Sequence, residues 1–437
     1  MSLAREDALD IFLHALRATR VDAAMERSVR TMDRVLQIDR HSFQLSRYGR
    51  LILIAIGKAG GTMADAFLRR VGDEALRFEG IVVAPEGAGP VSQQFRVYCG
   101  GHPSPNAASV AAAMDILETL RSLTANDLVL FLVSGGGSAM VEQFLMPGIS
   151  LEDIAATHKV LVESGAPIAA INAVRKHLSA VKGGRLAEAA APAEQMTIFV
   201  SDVPEGELDA LSSGPTMPDR STVEDVYRIA EEYRLVEAVP GVVGEMLRGQ
   251  MLAETPKAGD GIFERSRWSV LLDSVSLEEA AAVRATELGW QVEIDNRCDD
   301  WSADRAASYL LERLQVLRQW RARICLLSAG EVTVQVPAGS VGRGGRNQHF
   351  ALLCSEAIAG SEVTVLSAGS DGIDGNSPAA GAMVDGLTVA RAVEGGYGVR
   401  DALAAHDSYW LLAKLGDTIV TGPTGNNLRD LRILLAP

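Results

Sequence analysis

The run Leu51-Ile52-Leu53-Ile54-Ala55-Ile56 constrains this chain more than any other stretch. It is apolar throughout, which reads as a strand buried on both faces inside a parallel sheet. It stops on Gly57-Lys58-Ala59-Gly60-Gly61, and a helical pattern follows. The same unit recurs. Residues 80–84 form an apolar run, residues 127–133 are strand-like and close on Ser134-Gly135-Gly136-Gly137-Ser138, and residues 196–200 close on Ser201-Asp202-Val203-Pro204. Helical stretches of Ala, Leu, Glu and Arg separate these runs. Strand, Gly-rich turn and helix in repetition predict an α/β fold with an open, doubly wound sheet.

Upstream, residues 2–37 read as two amphipathic helices. Residues 241–265 lose the strong pattern and carry Gly, Pro and charge, so a domain boundary is expected there. The second half restarts with a strand at 268–272 and a helix through 288. Further strands are expected at 324–327, 332–336 and 363–366, and a helix at 347–359. At 437 residues the chain is long for one domain, and its size fits two or three.

Charge narrows the function. The formal net charge is −15 and the pI is near 5.0. Such a surface repels nucleic acid, and an anionic substrate would need a locally basic pocket. No apolar run approaches the roughly 18 residues that span a bilayer. Residues 1–20 mix Arg, Glu and Asp with apolar residues, as an amphipathic helix does and a signal peptide does not. A cytoplasmic protein without a membrane partner is expected. Cys99, Cys298, Cys325 and Cys354 lie far apart, with no CxxC pair and no metal-ligand spacing; they read as buried free thiols.

Ligands of open α/β sheets sit outside the carboxyl ends of the strands, where the Gly clusters fall. Gly lets backbone N–H groups approach an anion, and a helix N-terminus adds a favourable dipole. Ser134, Gly135, Gly136, Gly137 and Ser138 are therefore the candidate phosphate cradle, with a tight strand-to-helix turn as the alternative. Lys58 stands at the first strand end. It is either a cation for a phosphate and its developing charge or an exposed turn lysine. Its loop matches neither GxxxxGK[ST] nor GxGxxG. Gly342-Arg343-Gly344-Gly345-Arg346-Asn347-Gln348 is a second basic Gly loop before a helix, where two arginines could hold a carboxylate or phosphate. Asp371 and Asp374, in Ser370-Asp371-Gly372-Ile373-Asp374-Gly375-Asn376, could hold Mg²⁺ or accept a proton, or form an Asx-rich turn. Asp202 and Asp385 lie in similar Gly/Pro-rich settings. The basic residues of Arg175-Lys176-His177 and Lys182-Gly183-Gly184-Arg185, on one continuing helix, face either ligand phosphates or water. Single histidines such as His102 and His177 read as structural. No GxSxG elbow is present, which argues against a hydrolase.

In order, Ala55-Ile56-Gly57-Lys58-Ala59, Gly100-Gly101-His102-Pro103-Ser104-Pro105-Asn106, the 134–138 loop, Ile171-Asn172 with Arg175-Lys176-His177-Leu178-Ser179, and Lys182-Gly183-Gly184-Arg185 run through the first half. Ser201-Asp202-Val203, Ser212-Ser213-Gly214-Pro215-Thr216, Ala329-Gly330-Glu331, Gly345-Arg346-Asn347-Gln348, Gly369-Ser370-Asp371-Gly372 and Thr421-Gly422-Pro423-Thr424-Gly425 complete the set. This ordered set resembles the class II glycerate kinases, which carry a MOFRL domain in the C-terminal half.

The resemblance implies a Rossmann-like N-terminal domain (1–240), a smaller α/β MOFRL-containing domain (265–437) and an active-site cleft between them. It implies ATP with Mg²⁺ and D-glycerate as substrates, and 2-phosphoglycerate as product. Lys58 matches the family's active-site lysine and Arg346 its motif arginine. Catalytic roles are thus expected for Lys58, Arg346 and Asp371. ATP contacts are expected from 134–138 and Asp202, substrate contacts from Arg343, Asn347 and Lys182, and metal contacts from Asp371 and Asp374. A homodimer is compatible with this reading. Some relatives are labelled hydroxypyruvate reductases, so an NAD(P)-dependent reductase is the alternative; Glu86 follows the second apolar run at a ribose-binding-like position, but GxGxxG is missing. A non-enzymatic nucleotide or sugar-acid sensor is a third reading. The chain departs from the family pattern at His349, where Glu is common, and at Gly425-Asn426-Asn427-Leu428.

Overall fold

The computed structural model describes residues 2–85, 93–146, 148–337 and 339–437. The chain divides into two compact units, Val21–Leu271 and Met1–Arg20 with Leu272–Pro437.

The first of these units is built on a six-stranded sheet: β4 (Leu51–Ile56), β5 (Phe78–Ala84), β6 (Phe95–Cys99), β7 (Leu128–Ser134), β8 (Glu194–Val200) and β9 (Ser266–Leu272). An antiparallel meander precedes it in the chain, β1 (Val29–Met32), β2 (Val35–Ile38) and β3 (His41–Gln44). The order across the large sheet is β6-β5-β4-β7-β8-β9. The pairs from β6 through β8 are parallel. β4 and β7 are buried along their whole length, as their unbroken apolar runs require. Ile52, Ile54 and Ile56 share a core with Ala112, Ala113, Ile116, Leu117 and Leu120 of the helix Ala107–Arg121. Each such fully buried Ile or Leu contributes about 1.5–3 kcal/mol. Asn106 starts that helix through a capping box with Ser109.

From β4 the chain moves to β5 and β6 on one side, then returns to β7 and β8 on the other. That reversal is the switch point at which doubly wound sheets open a crevice. In the β4–β7 register Ile56 lies opposite Val133. The turn at Gly57-Lys58 is therefore set beside the loop that starts at Ser134.

The strands expected near 51–56, 80–84, 127–133, 196–200, 268–272, 324–327 and 363–366 are all present. Elsewhere the outcome differs. Two helices do begin the chain, Leu3–Ala18 and Val21–Ser28, but the meander β1–β3 takes over at Val29. Its first hairpin turns on Asp33 and Arg34, both at positive φ, without the Gly that usually announces such a turn. Leu3–Ala18 belongs with the C-terminal unit. The helix expected to run through Lys182 ends at Leu178, because Ser179 is extended and bridges to Phe144. A new helix starts at Arg185. Within 241–265 a helix, Gly241–Arg248, follows Pro240, and the two units divide at Leu271–Leu272. Residues 332–336 form no strand; only Thr333 bridges, to Ser302. Glu86 lies outside the described residues.

The other unit carries β10 (Gln291–Ile294), β11 (Ile324–Ala329), β12 (Thr364–Gly369), β13 (Gly381–Asp385), β14 (Thr418–Ile419) and β15 (Asp430–Ala436). Their order is β10-β11-β15-β12-β13-β14. Only β10 and β11 pair in parallel; the remaining pairs are antiparallel, so this sheet is mixed. The last strand of the chain thus lies inside the sheet, fully buried, with Asp430 at its start. The helix Arg346–Ala357 packs on it through Phe350, Ala351 and Cys354. Cys298, Cys325 and Cys354 are buried as expected, and burial pushes the Cys298 thiol up to about 11. Cys99 is exposed, because it ends an edge strand. No helix among the described residues is long and apolar enough to cross a membrane.

Candidate active site

In the unit Val21–Leu271 the strand ends bring a set of loops together. The Lys58 amide donates to the Gly135 carbonyl at 2.9 Å, and the Ala59 amide to Ser134 Oγ at 3.0 Å. The Ser212 hydroxyl donates to the Ser134 carbonyl at 2.7 Å. Ser138 Oγ lies 3.0 Å from Ser213 Oγ, which donates to Asn172 Oδ1 at 3.2 Å. Ser212 and Ser213 both hold positive φ, 50° and 59°. That conformation costs a non-glycine residue of order 1–3 kcal/mol, and the surrounding hydrogen bonds maintain it.

The three glycines of the loop leave little room for a side chain. A Cβ at position 135 would overlap the Asp202 carboxylate. Gly136 sits at φ +83°, where a Cβ would lie 3.0 Å from Lys58 Cγ and 3.1 Å from His102 Cδ2. Asp202, Lys58 and His102 therefore crowd the bare backbone of the loop. The amides of Gly136, Gly137 and Ser138 donate to no backbone carbonyl among the described residues, and anions bind to such clustered N–H groups. Lys58 is exposed and makes no ion pair among the described residues. Partial burial and the neighbouring Lys58 charge hold the His102 imidazole below its ordinary range.

Lys182 does not join this site. It is 1% exposed, with its ammonium 2.5 Å from Glu142 Oε2. Glu142 also meets His158 at 3.0 Å and accepts from the Ser179 hydroxyl at 2.6 Å. The expected substrate contact is replaced by an interior ion pair. The helix ends before Ser179, and Lys182, three residues on, is buried. Lys176 is likewise buried between Asp209 and Asp219. His177 bonds the Ala173 carbonyl and Glu254, the structural role expected of it.

The other unit has its own cleft, a cavity of about 600 Å³ lined by Arg346, His349, Asp371, Asp374, His406 and Ser408 among others. Arg346 is already engaged. Its Nε and Nη2 donate to the two oxygens of Asp430 at 2.6 and 3.1 Å, and Nη2 lies 2.7 Å from Glu331. Burial opposes its charge, but Asp430 and Glu331 outweigh that and hold the guanidinium firmly protonated. Arg343 is exposed, with its guanidinium 4.8 Å over the Tyr409 ring.

Asp374 is 2% exposed. It accepts from the amides of Asn347 and Gln348 at 3.1 and 2.8 Å, and from Gln348 Nε2 at 2.9 Å. The anion place at this helix N-terminus is filled by the chain itself. Asn347 is also buried and accepts from the Ser367 hydroxyl at 2.6 Å. Asn347 and Asp374, expected at the substrate and at the metal, are thus both engaged in hydrogen bonds within this unit. Among the described residues no group of three or more His, Cys, Asp or Glu could hold a metal ion.

Sequence reasoning read His102 as structural and gave no role to Ser212, Ser213 or Asn172. The signal available was their place in Gly100-Gly101-His102, Ser212-Ser213-Gly214 and Ile171-Asn172, and nothing local reveals that these meet the 134–138 loop.

Two family descriptions match the chain: "Domain of unknown function (DUF4147)" over residues 7–248 and "MOFRL family" over residues 324–430. The D-glycerate 2-kinase of Thermotoga maritima is 37% identical over 88% of this chain and 90% of its own. A protein of Agrobacterium vitis with the provisional name hydroxypyruvate reductase is 37% identical over 89% of this chain and 99% of its own. Among solved structures, the glycerate kinase of Thermotoga maritima superposes with a TM-score of 0.86 at 34% identity, over 99% of both chains. A DUF4147 segment followed by a MOFRL segment, each with the strand ends and Gly loops described above, is the build of the class II glycerate kinases, and the chain belongs to that family.

Proposed function

We propose that this chain transfers the γ-phosphoryl group of ATP to D-glycerate and releases 2-phosphoglycerate. The observation that carries this is the likeness to a D-glycerate 2-kinase over nearly the whole chain, with a glycerate kinase of the same fold covering 99%. The Val21–Leu271 unit, with its order β6-β5-β4-β7-β8-β9, is read as the Rossmann-like domain. Its 134–138 loop is the proposed phosphate cradle. Lys58 meets the transferring phosphoryl group, and Asp202 fixes the loop by filling the space beside Gly135. Such catalysis consists largely of positioning and charge stabilisation.

Mg²⁺ enters with the nucleotide as part of the substrate. For the acid substrate, Arg343 and the Nη1 group that Asp430 and Glu331 leave over on Arg346 are the proposed carboxylate ligands. Asp371 is the proposed hydrogen-bond acceptor for the glycerate hydroxyl that is not phosphorylated. A cytoplasmic location is part of this reading.

The name of the Agrobacterium relative supports a second reading, reduction of hydroxypyruvate with NAD(P)H. Against it, the turn after β4 is Gly57-Lys58-Ala59-Gly60-Gly61-Thr62, with Ala59 where a dinucleotide fold needs bare glycine backbone against the pyrophosphate and Thr62 in place of the third glycine. Incubation with ATP, Mg²⁺ and D-glycerate, followed by NMR of the product, separates the readings. 2-Phosphoglycerate with stoichiometric ADP supports the kinase. Oxidation of NAD(P)H by hydroxypyruvate, without ADP release from glycerate, refutes it.

A further inference from the structure

We propose that His102 is a catalytic residue of this reaction, the base that takes the proton from the glycerate hydroxyl as its oxygen attacks the γ-phosphorus. The inference rests on the reading that residues 134–138 cradle the phosphates. The middle residue of that loop is flanked by two side chains. From the point a Cβ would occupy on Gly136, His102 Cδ2 is 3.1 Å away and Lys58 Cε is 3.3 Å away. Cδ2 is bonded to Nε2, so the ring edge against the loop is the one that carries a proton-accepting nitrogen. The hydroxyl that attacks a phosphate held there must reach the same spot. An ammonium has no lone pair to offer it, whereas an imidazole has.

The turn that bears His102 is firmly held. The Gly101 amide donates to Ser109 Oγ at 2.9 Å, and Asn106 Nδ2 donates to the Cys99 carbonyl at 3.0 Å. These bonds tie the turn both to the helix Ala107–Arg121 and to the end of β6. His102 itself is exposed and open to a substrate. Lys58, from the turn after β4, is the charge that acts on it among the described residues, and together with partial burial it disfavours the imidazolium. Asp202, at the end of β8, lies against the neighbouring Gly135. A neutral ring at neutral pH is what a general base requires.

In the step, the hydroxyl O–H bond breaks and its proton passes to His102. The oxygen–phosphorus bond forms. The bond from the γ-phosphorus to its bridging oxygen breaks, and ADP leaves with that electron pair. His102 then releases the proton to solvent, while Lys58 faces the charge on the group in transfer.

The test is the pH profile of glycerate phosphorylation, with kcat and KM for ATP resolved separately. Wild-type enzyme should lose kcat on the acid side with an apparent pKa below the ordinary imidazole value of about 6.5. His102→Asn and His102→Gln should fold with unchanged thermal midpoints and lose about 10²–10⁴ in kcat. Their KM for ATP should stay near wild type and their acid limb should vanish. Folded variants that keep wild-type kcat and the acid limb overturn the inference. So does a raised KM for ATP at unchanged kcat, which would make His102 a phosphate-site contact only. An acid limb abolished by Asp202→Asn and kept by His102→Asn assigns the base to Asp202 and overturns it too. Wild-type protein that releases no ADP with glycerate sinks the kinase reading and this inference with it.

Discussion

The loops at 134–138 and 342–348 look alike on paper and differ in the fold. Both are rich in glycine, both precede a helix, and both have a basic side chain at hand. Around the first, Lys58 is exposed and unpaired among the described residues, and the loop amides are left without backbone partners. At the second, Arg346 is held by Asp430 and Glu331, and Asp374 occupies the helix N-terminus. Glycine and positive charge at a helix start therefore mark a turn that could take an anion. Whether the place is open depends on what distant carboxylates do.

The largest effect should come from a third cation beside a Gly pair, Lys182. Lys182→Ala would leave Glu142 buried and without its ammonium partner, which should cost about 3–5 kcal/mol of stability. The pair also sets an acid limit. Burial alone would raise the Glu142 carboxyl, but Lys182 and His158 hold it down from 4.5 to about 2. Because the folded value is the lower one, this contribution is complete above about 4.5 and is lost as the pH falls toward 2. Acid unfolding followed by circular dichroism should show the variant failing at higher pH than wild type. An unchanged acid midpoint would mean that Lys182 is no interior partner.

Next, Lys58→Ala should lower kcat about 10²–10³-fold and leave the thermal midpoint unchanged, since an exposed side chain contributes little packing. Lys58→Arg should recover part of the rate, its planar fork having a different reach. A folded Lys58→Ala enzyme with full turnover at saturating ATP and glycerate would erase the contrast between the two loops.

Arg346→Ala should behave differently from Lys58→Ala by destabilising the protein as well as slowing it. Asp430 is 2% exposed and would lose both hydrogen bonds. Since the arginine side chain is 37% exposed, solvent softens the loss, and about 2–3 kcal/mol is expected. Calorimetry beside kinetics reads both effects; lost turnover at an unmoved midpoint would show Arg346 to be as open as Lys58.

The smallest effect should be that of Asp374→Ala, about 0.5–2 kcal/mol, the range for loss of a helix cap. The Mg²⁺ concentration that half-saturates turnover should not move. A shifted Mg²⁺ requirement at unchanged stability would return Asp374 to the metal.

Part of the site was legible because the sheet is parallel and buried. Unbroken apolar runs locate such strands, and in a doubly wound fold the strand ends locate the ligand loops. Lys58 and residues 134–138 could be picked out for that reason. Lys182, Asn347 and Asp374 could not be sorted the same way. Their surroundings are as polar in sequence as those of Lys58, and their partners Glu142, Ser367 and the 347–348 amides are brought to them by the fold. The meander at Val29 escaped notice because Asp33-Arg34 turns without glycine.

What the sequence determined by itself is the succession of buried strands, the glycines at their ends and the family they spell, because burial pattern and backbone freedom are local properties. Which cations remain open and which are neutralised was decided only in the tertiary structure. Asp430 meets Arg346 across 84 positions, and His102 meets Lys58 only where β4 and β6 end in one sheet. An ion pair or a ring against a loop depends on distances in space, and spacing along the chain does not encode them.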